Sequence, residues 1–150
     1  LVADLVIKRV SCTDILDAED LLKEYADECS IPEIGVICPQ REIYAHMQST
    51  GLMHSFGVFE EEKLVGFASI LLFTLPHYGK KVANVESMFL AKSHRMGGFG
   101  LELMKEIEQF AKERGCSAML YNARFGSALE KMLTRASNYE RTNSVFLRSL

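Results

Sequence analysis

The stretch Arg95-Met96-Gly97-Gly98-Phe99-Gly100 packs three glycines into four positions. It follows an apolar extended run, Val82–Leu90, and opens an amphipathic run from Gly98 to Arg114. A strand, a glycine turn and a helix N-terminus together make an anion site. The turn aims backbone N–H groups at the helix entrance, and the helix dipole adds partial positive charge. The chemistry expected there is the cradling of a pyrophosphate. A P-loop is excluded, because Gly100 is followed by Leu101 and Glu102 rather than Lys and Ser/Thr. A dinucleotide-binding fingerprint is excluded as well, since its third glycine falls on Leu103. A second chemical residue, Glu86, lies nine positions upstream of Arg95, inside the apolar run. A carboxylate there either faces solvent or a basic neighbour, or serves as a base.

Other polar candidates are plainer. Asn122 is either a turn residue before Gly126 or a ligand contact. His77 and Tyr78 sit on a loop expected to rim a pocket. His46, His54 and His94 carry no supporting constellation. Cys12, Cys29, Cys38 and Cys116 form no CxxC pair and no Cys/His metal spacing, so reduced thiols and no metal are expected.

These residues need a framework to hold them. Leu5–Val10 reads as a strand, with Ser11 and Thr13 as helix caps after it. Ala18, Leu21, Leu22, Tyr25, Ala26 and Cys29 recur at helical spacing. Ser30–Pro39 is an apolar loop, expected either to cover the core or to form a lid over a pocket. Gln40–Ser49 reads as a short helix with Ile43, Tyr44 and Met47 on one side. Phe56–Phe59 and Leu64–Phe73 flank the polar turn Glu60–Lys63 as a β-hairpin, with Gly66 marking a bulge or a close backbone approach. After the glycine turn, Leu103, Met104, Ile107, Phe110 and Ala111 form a buried helical stripe that ends at Gly115. A strand over 117–121, a helix over 127–135 and a last strand from Tyr139 to Leu147 complete the order β-α-α-β-β-β-α-β-α-β. Residues 82–121 then form a β-α-β unit, which requires two parallel strands.

The chain is expected to be a single domain over 1–150. Its composition, 48% hydrophobic and 25% charged with a formal net charge of -3, is that of a globular protein. The charge argues against a nucleic-acid partner and suits an amine better. Apolar runs are short, so neither a membrane span nor a signal peptide is expected, and the compartment expected is cytoplasmic.

Arg95-Met96-Gly97-Gly98-Phe99-Gly100 matches Arg/Gln-x-x-Gly-x-Gly/Ala and resembles motif A of the GNAT superfamily, the Gcn5-related N-acetyltransferases, in a small phage or bacterial form. The element order is similar along the whole chain. The resemblance implies an α+β fold: a central mixed, mostly antiparallel twisted sheet with a splayed parallel strand pair, helices covering both faces. It implies acetyl-CoA as donor and an amine as acceptor, joined by direct attack in a ternary complex, with no metal. Arg95, Met96, Gly97, Gly98, Phe99 and Gly100 would hold the pyrophosphate. Met88, Phe89 and Leu90 would offer a strand edge to the pantetheine arm, and Asn122 would contact the donor. Glu86 would act as base. The tyrosine that many members use as acid falls near Thr134 here, which leaves the acid unassigned between Tyr121 and Tyr139. That gap keeps open a non-catalytic acyl-CoA-binding or protein-interaction module, and a longer acyl group is a further alternative. The last strand is a candidate edge for a homodimer.

Overall fold

The computed structural model describes residues 4–150. β1 (Leu5–Val10) leads into α1 (Cys12–Leu16), α2 (Glu19–Cys29) and α3 (Arg41–Ser49). The hairpin β2 (Met53–Glu60) and β3 (Lys63–Leu75) follows, then β4 (Lys80–Leu90). α4 (Phe99–Glu113), β5 (Ala118–Leu120) and α5 (Ala128–Arg135) come last. The five strands lie in chain order in one sheet. Neighbours from β1 to β4 are antiparallel, and β4 and β5 are parallel, as the β-α-β reading required.

Each sheet face has its own core. Leu103, Ile107 and Ala111 of α4 pack on Val58, Ile70, Ala83 and Val85. On the other face Ile15 of α1 and Leu21 of α2 pack on Phe67 and Phe89. Tyr25 stands edge-on to both phenyl rings, at 5.4 and 5.6 Å between centroids. α1 is short and needs its cap: the Ser11 hydroxyl accepts from the Thr13 N–H at 3.3 Å, and Asp14 accepts from the Ser11 N–H.

Two irregularities shape the sheet. The β2–β3 register shifts between Val58 and Phe59, beside Gly66. A Cβ on Gly66 would come within 3.0 Å of the Phe89 carbonyl oxygen, so the glycine reflects a close backbone approach. The β3–β4 register shifts where Ser69 pairs with Ser87 but Ile70 pairs with Val85, which leaves Glu86 as the extra residue of a β-bulge. The bulge changes the facing of the strand. Val85 and Met88 both pack on the α4-side core, a spacing that a regular two-residue alternation forbids.

Two expectations are corrected. The strand expected over 139–147 does not form, and residues 139–150 are in no helix or strand. Glu140-Arg141-Thr142-Asn143 breaks any apolar alternation, and β5 is only three residues long, so it offers little edge to pair with. Val145 and Phe146 lie about nine-tenths exposed, and the dimer edge expected there is absent. Of the two alternatives for the Ser30–Pro39 loop, a cover for the core is the one not met, since Ile34 and Val36 are exposed.

Candidate active site

β4 and β5 pair only from Val82 to Asn84, against Ala118 to Leu120. Beyond Asn84 the two strands part, and among the described residues no strand lies beside one edge of β4 from Val85 to Leu90. Which backbone groups face that edge follows from the pairing on the other side. The Ala91 N–H donates to the Val65 carbonyl at 2.9 Å. Antiparallel pairs alternate between bonded and non-bonded positions, so Met88 and Leu90 turn their amides away from β3. The Leu90 carbonyl accepts from Arg95 Nε at 2.8 Å. The N–H groups of Met88 and Leu90 are therefore aimed into the opening.

The opening leads to the glycine turn. Gly98 is the N-cap of α4, at φ +79°, where a side chain is strained, and no side chain caps the helix. The first backbone bond there is Glu102 N–H to the Gly98 carbonyl, so the amides of Phe99, Gly100 and Leu101 keep free N–H groups. A Cβ built on Gly98 or Gly100 meets nothing within 4 Å. Free donors, a helix N-terminus and open space at both glycines fit a pyrophosphate. Met96 projects into solvent, and the Phe99 ring packs against the α4-side core.

The Arg95 side chain turns away from this cradle. It forms a two-point ion pair with Glu28 of α2, at 3.1 and 2.8 Å, and its guanidinium lies 5.1 Å from the Phe89 ring centroid. Its own N–H donates to the Lys92 carbonyl at 3.4 Å, closing the short turn before the glycines.

Glu86 is exposed on the bulge, and both its carboxylate oxygens are engaged. Tyr44 of α3 donates to Oε1 at 2.8 Å, and Ser87 donates to Oε2 at 2.6 Å. Each oxygen keeps a lone pair for a further donor, so the carboxylate is oriented but still able to accept from an amine. Burial, and then the charge of Glu86, push the Tyr44 phenol up; the same two causes push Tyr25 up to about 12. Both phenols therefore stay protonated at neutral pH, and the Tyr44 hydroxyl is the one bonded to Glu86.

The acid candidates sit on the other face. Tyr121 and Tyr139 both donate to Glu108 Oε1 of α4, at 2.7 and 2.6 Å, with rings 5.6 Å apart. Burial, and then that hydrogen bond, push both phenols up, Tyr139 to about 12. The Thr134 hydroxyl donates back to the Glu130 carbonyl of its own helix at 2.8 Å. Asn122 Nδ2 reaches across the parting strands to Asn84 Oδ1 at 2.9 Å and to the Val85 carbonyl at 3.2 Å. His77 and Tyr78 lie at the β3–β4 turn, roughly 20 Å along the strand from Glu86 at ~3.3 Å per residue, and so do not rim this site. Among the described residues no group of three His, Cys, Asp or Glu could hold a metal, and no helix is long and apolar enough to cross a membrane.

Reading the sequence missed Tyr44 and Ser87. Tyr44 shares a helical stripe with Ile43 and Met47, and its polar tip was the only hint. Ser87 has no spacing signal, because its contact with Glu86 depends on the bulge.

The comparisons with known proteins fit this geometry. Residues 18–129 match the family model described as the acetyltransferase (GNAT) family. No curated protein matches the sequence. Among solved structures, a ribosomal-protein-alanine N-acetyltransferase from Brucella melitensis biovar Abortus 2308 superposes with a TM-score of 0.74 at 19% identity, covering 97% of this chain and 99% of that one. An aminoglycoside acetyltransferase from an uncultured soil metagenomic sample, in complex with trehalose, gives 0.75 at 18% identity, covering 97% and 96%. An aminoglycoside N-acetyltransferase in complex with CoA gives 0.71 at 18% identity, covering 97% and 98%. At these identities the likeness is one of fold.

Proposed function

Because the chain belongs to the GNAT acetyltransferase family, we propose that it is an N-acetyltransferase using acetyl-CoA and a primary amine, with Glu86 as the base. Acetyl-CoA supplies a thioester carbonyl carbon open to an amine. The free N–H groups at the start of α4 hold the pyrophosphate, and the open edge of β4 takes the pantetheine arm by backbone pairing, as an added strand would. Met88 and Leu90 present N–H groups where charge develops on the thioester oxygen. Glu86 accepts a proton from the amine, directly or through one water. An alkyl ammonium with a pKa near ~10.4 must lose that proton before it can attack. Tyr44 and Ser87 keep the carboxylate in one orientation while it does so.

The observation that carries this reading is the bulge. It places a carboxylate held by two hydroxyls on the same strand as the open donor edge, two residues from the first free amide. The test is thiol release from acetyl-CoA with a panel of small amines and peptides. Glu86→Gln is expected to lower kcat by about 100-fold or more, the usual range for a general base, while acetyl-CoA affinity holds. Unchanged turnover across the pH range would remove Glu86 from the mechanism.

A second reading, a non-catalytic acyl-CoA-binding module, draws on the occupied hydroxyls of Tyr121, Tyr139 and Thr134. It expects CoA binding without thiol release for any amine in the panel. Under the catalytic reading the thiolate, with a free pKa near ~8.5, leaves without a protein acid.

A further inference from the structure

The two banks of the opening are the end of β4 with its turn, and β5 with the segment after it. Both are tied to the same few residues at the end of α2. Arg95, on the first bank, forms its two-point pair with the Glu28 carboxylate, and both side chains are largely shielded, at 27% and 19% exposure. The same guanidinium holds the Leu90 carbonyl through Nε. Arg124, on the second bank, donates from Nη1 to the main-chain carbonyls of Glu28 (3.4 Å) and Ser30. Cys29, between those carbonyls, feels both guanidinia: burial and Glu28 push its thiol up, and Arg95 and Arg124 oppose them. α2 thus spans the gap that β4 and β5 leave when they part, on the sheet face opposite α4.

We propose that the C-terminus of α2 is a clasp that sets the width of the opening, with Glu28 as a positioning residue for donor binding and Arg124 as its second anchor. This rests on the reading of the opening as the acyl-CoA site. Leu90 and Arg95 flank the turn that leads to the glycine cradle. Losing the Glu28 carboxylate frees the Arg95 side chain, and with it the fixed carbonyl of Leu90. Losing Arg124 frees the other bank. Ser30 also begins the exposed 30–39 loop, so the clasp joins that loop to the donor cradle.

The sign of the effect separates a clasp from simple charge. CoA is anionic, and Glu28→Gln removes a negative charge close to the cradle. Coulombic attraction alone then predicts tighter binding, or none of the change once salt screens it. The clasp predicts weaker binding that salt does not reverse.

Calorimetric titration with CoA is the test, run on the wild type, Glu28→Gln, Arg124→Met and the double variant at low and moderate salt. Each single variant is expected to raise the Kd about tenfold with a melting temperature near wild type. The double variant is expected to fall short of the product of the two, because both changes open one device. Saturating acetyl-CoA should restore most of kcat in each, so that the loss appears in KM. CoA affinity in a folded Glu28→Gln protein that is equal to or tighter than wild type overturns the clasp. If Glu28→Gln does not fold, Arg124→Met decides alone, since among the described residues that exposed side chain bonds only to main-chain carbonyls; unchanged affinity there overturns the clasp too. Failure of the wild type to bind CoA instead overturns the acyl-CoA reading itself.

Discussion

At the scale of single residues, the site is a carboxylate, two hydroxyls and a few amides. Tyr44 touches Glu86 directly, and a neutral hydroxyl bonded to a carboxylate is worth about 1.5 kcal/mol or more. Tyr44→Phe is therefore expected to lower kcat about tenfold and leave CoA affinity unchanged, as read by steady-state kinetics and titration calorimetry. The raised phenols also make a prediction about stability. Tyr25 titrates at about 12 when folded and near ~10 when unfolded. The folded state therefore holds the proton more tightly. That stability is fully present below about pH 10 and is lost as pH rises through about 12. Denaturant unfolding at pH 9 and pH 11 should show a smaller loss for Tyr25→Phe than for the wild type. The Phe variant keeps both ring contacts, so the two should be close in stability at pH 9. The glycines, Glu86 and the strand before them are legible in the sequence because they are local. The Tyr44–Glu86 contact spans 42 positions and the Glu28–Arg95 pair spans 67, and no spacing rule reaches that far.

At the scale of elements, the work is done by a strand that changes its facing and a helix that starts uncapped. Gly100 lies in the first turn of α4 with open space where a Cβ would go. Gly100→Leu is expected to leave the melting temperature unchanged or slightly raised, since glycine costs a helix ~1 kcal/mol relative to better helix formers. The same change should weaken CoA binding more than tenfold by filling the cradle. Gly66 makes the opposite prediction. A Cβ there meets Leu90 Cδ1 at 2.7 Å and the Phe89 carbonyl oxygen at 3.0 Å. Gly66→Ala should cost about 1–3 kcal/mol in chemical denaturation, because the backbone neighbour cannot move aside. Most elements were legible from periodicity and turn residues. The bulge at Glu86 was not, because a bulge exists only relative to a partner strand. The false strand over 139–147 came from its apolar residues Val145, Phe146 and Leu147. Apolar character gives a strand no partner. Tyr139 is instead held on α4 through Glu108, and the chain beyond it stays exposed.

At the scale of the whole molecule, one sheet separates two jobs. The α4 face holds the glycine turn, and the α1–α3 face carries the Tyr44 and Ser87 hydroxyls bonded to the Glu86 carboxylate, the group proposed to meet the amine. The parting of β4 and β5 joins the two faces, which is why a donor bound along the β4 edge would bring its thioester beside Glu86. On the proposed function, this opening and no other surface takes the donor. Amide-resolved NMR titration of the labelled full chain with CoA tests it most directly. Large shifts are expected at the amides of Met88, Leu90 and residues 97–101, with little change along β1 and β2. Shifts confined to another surface, or none at saturating CoA, would contradict it.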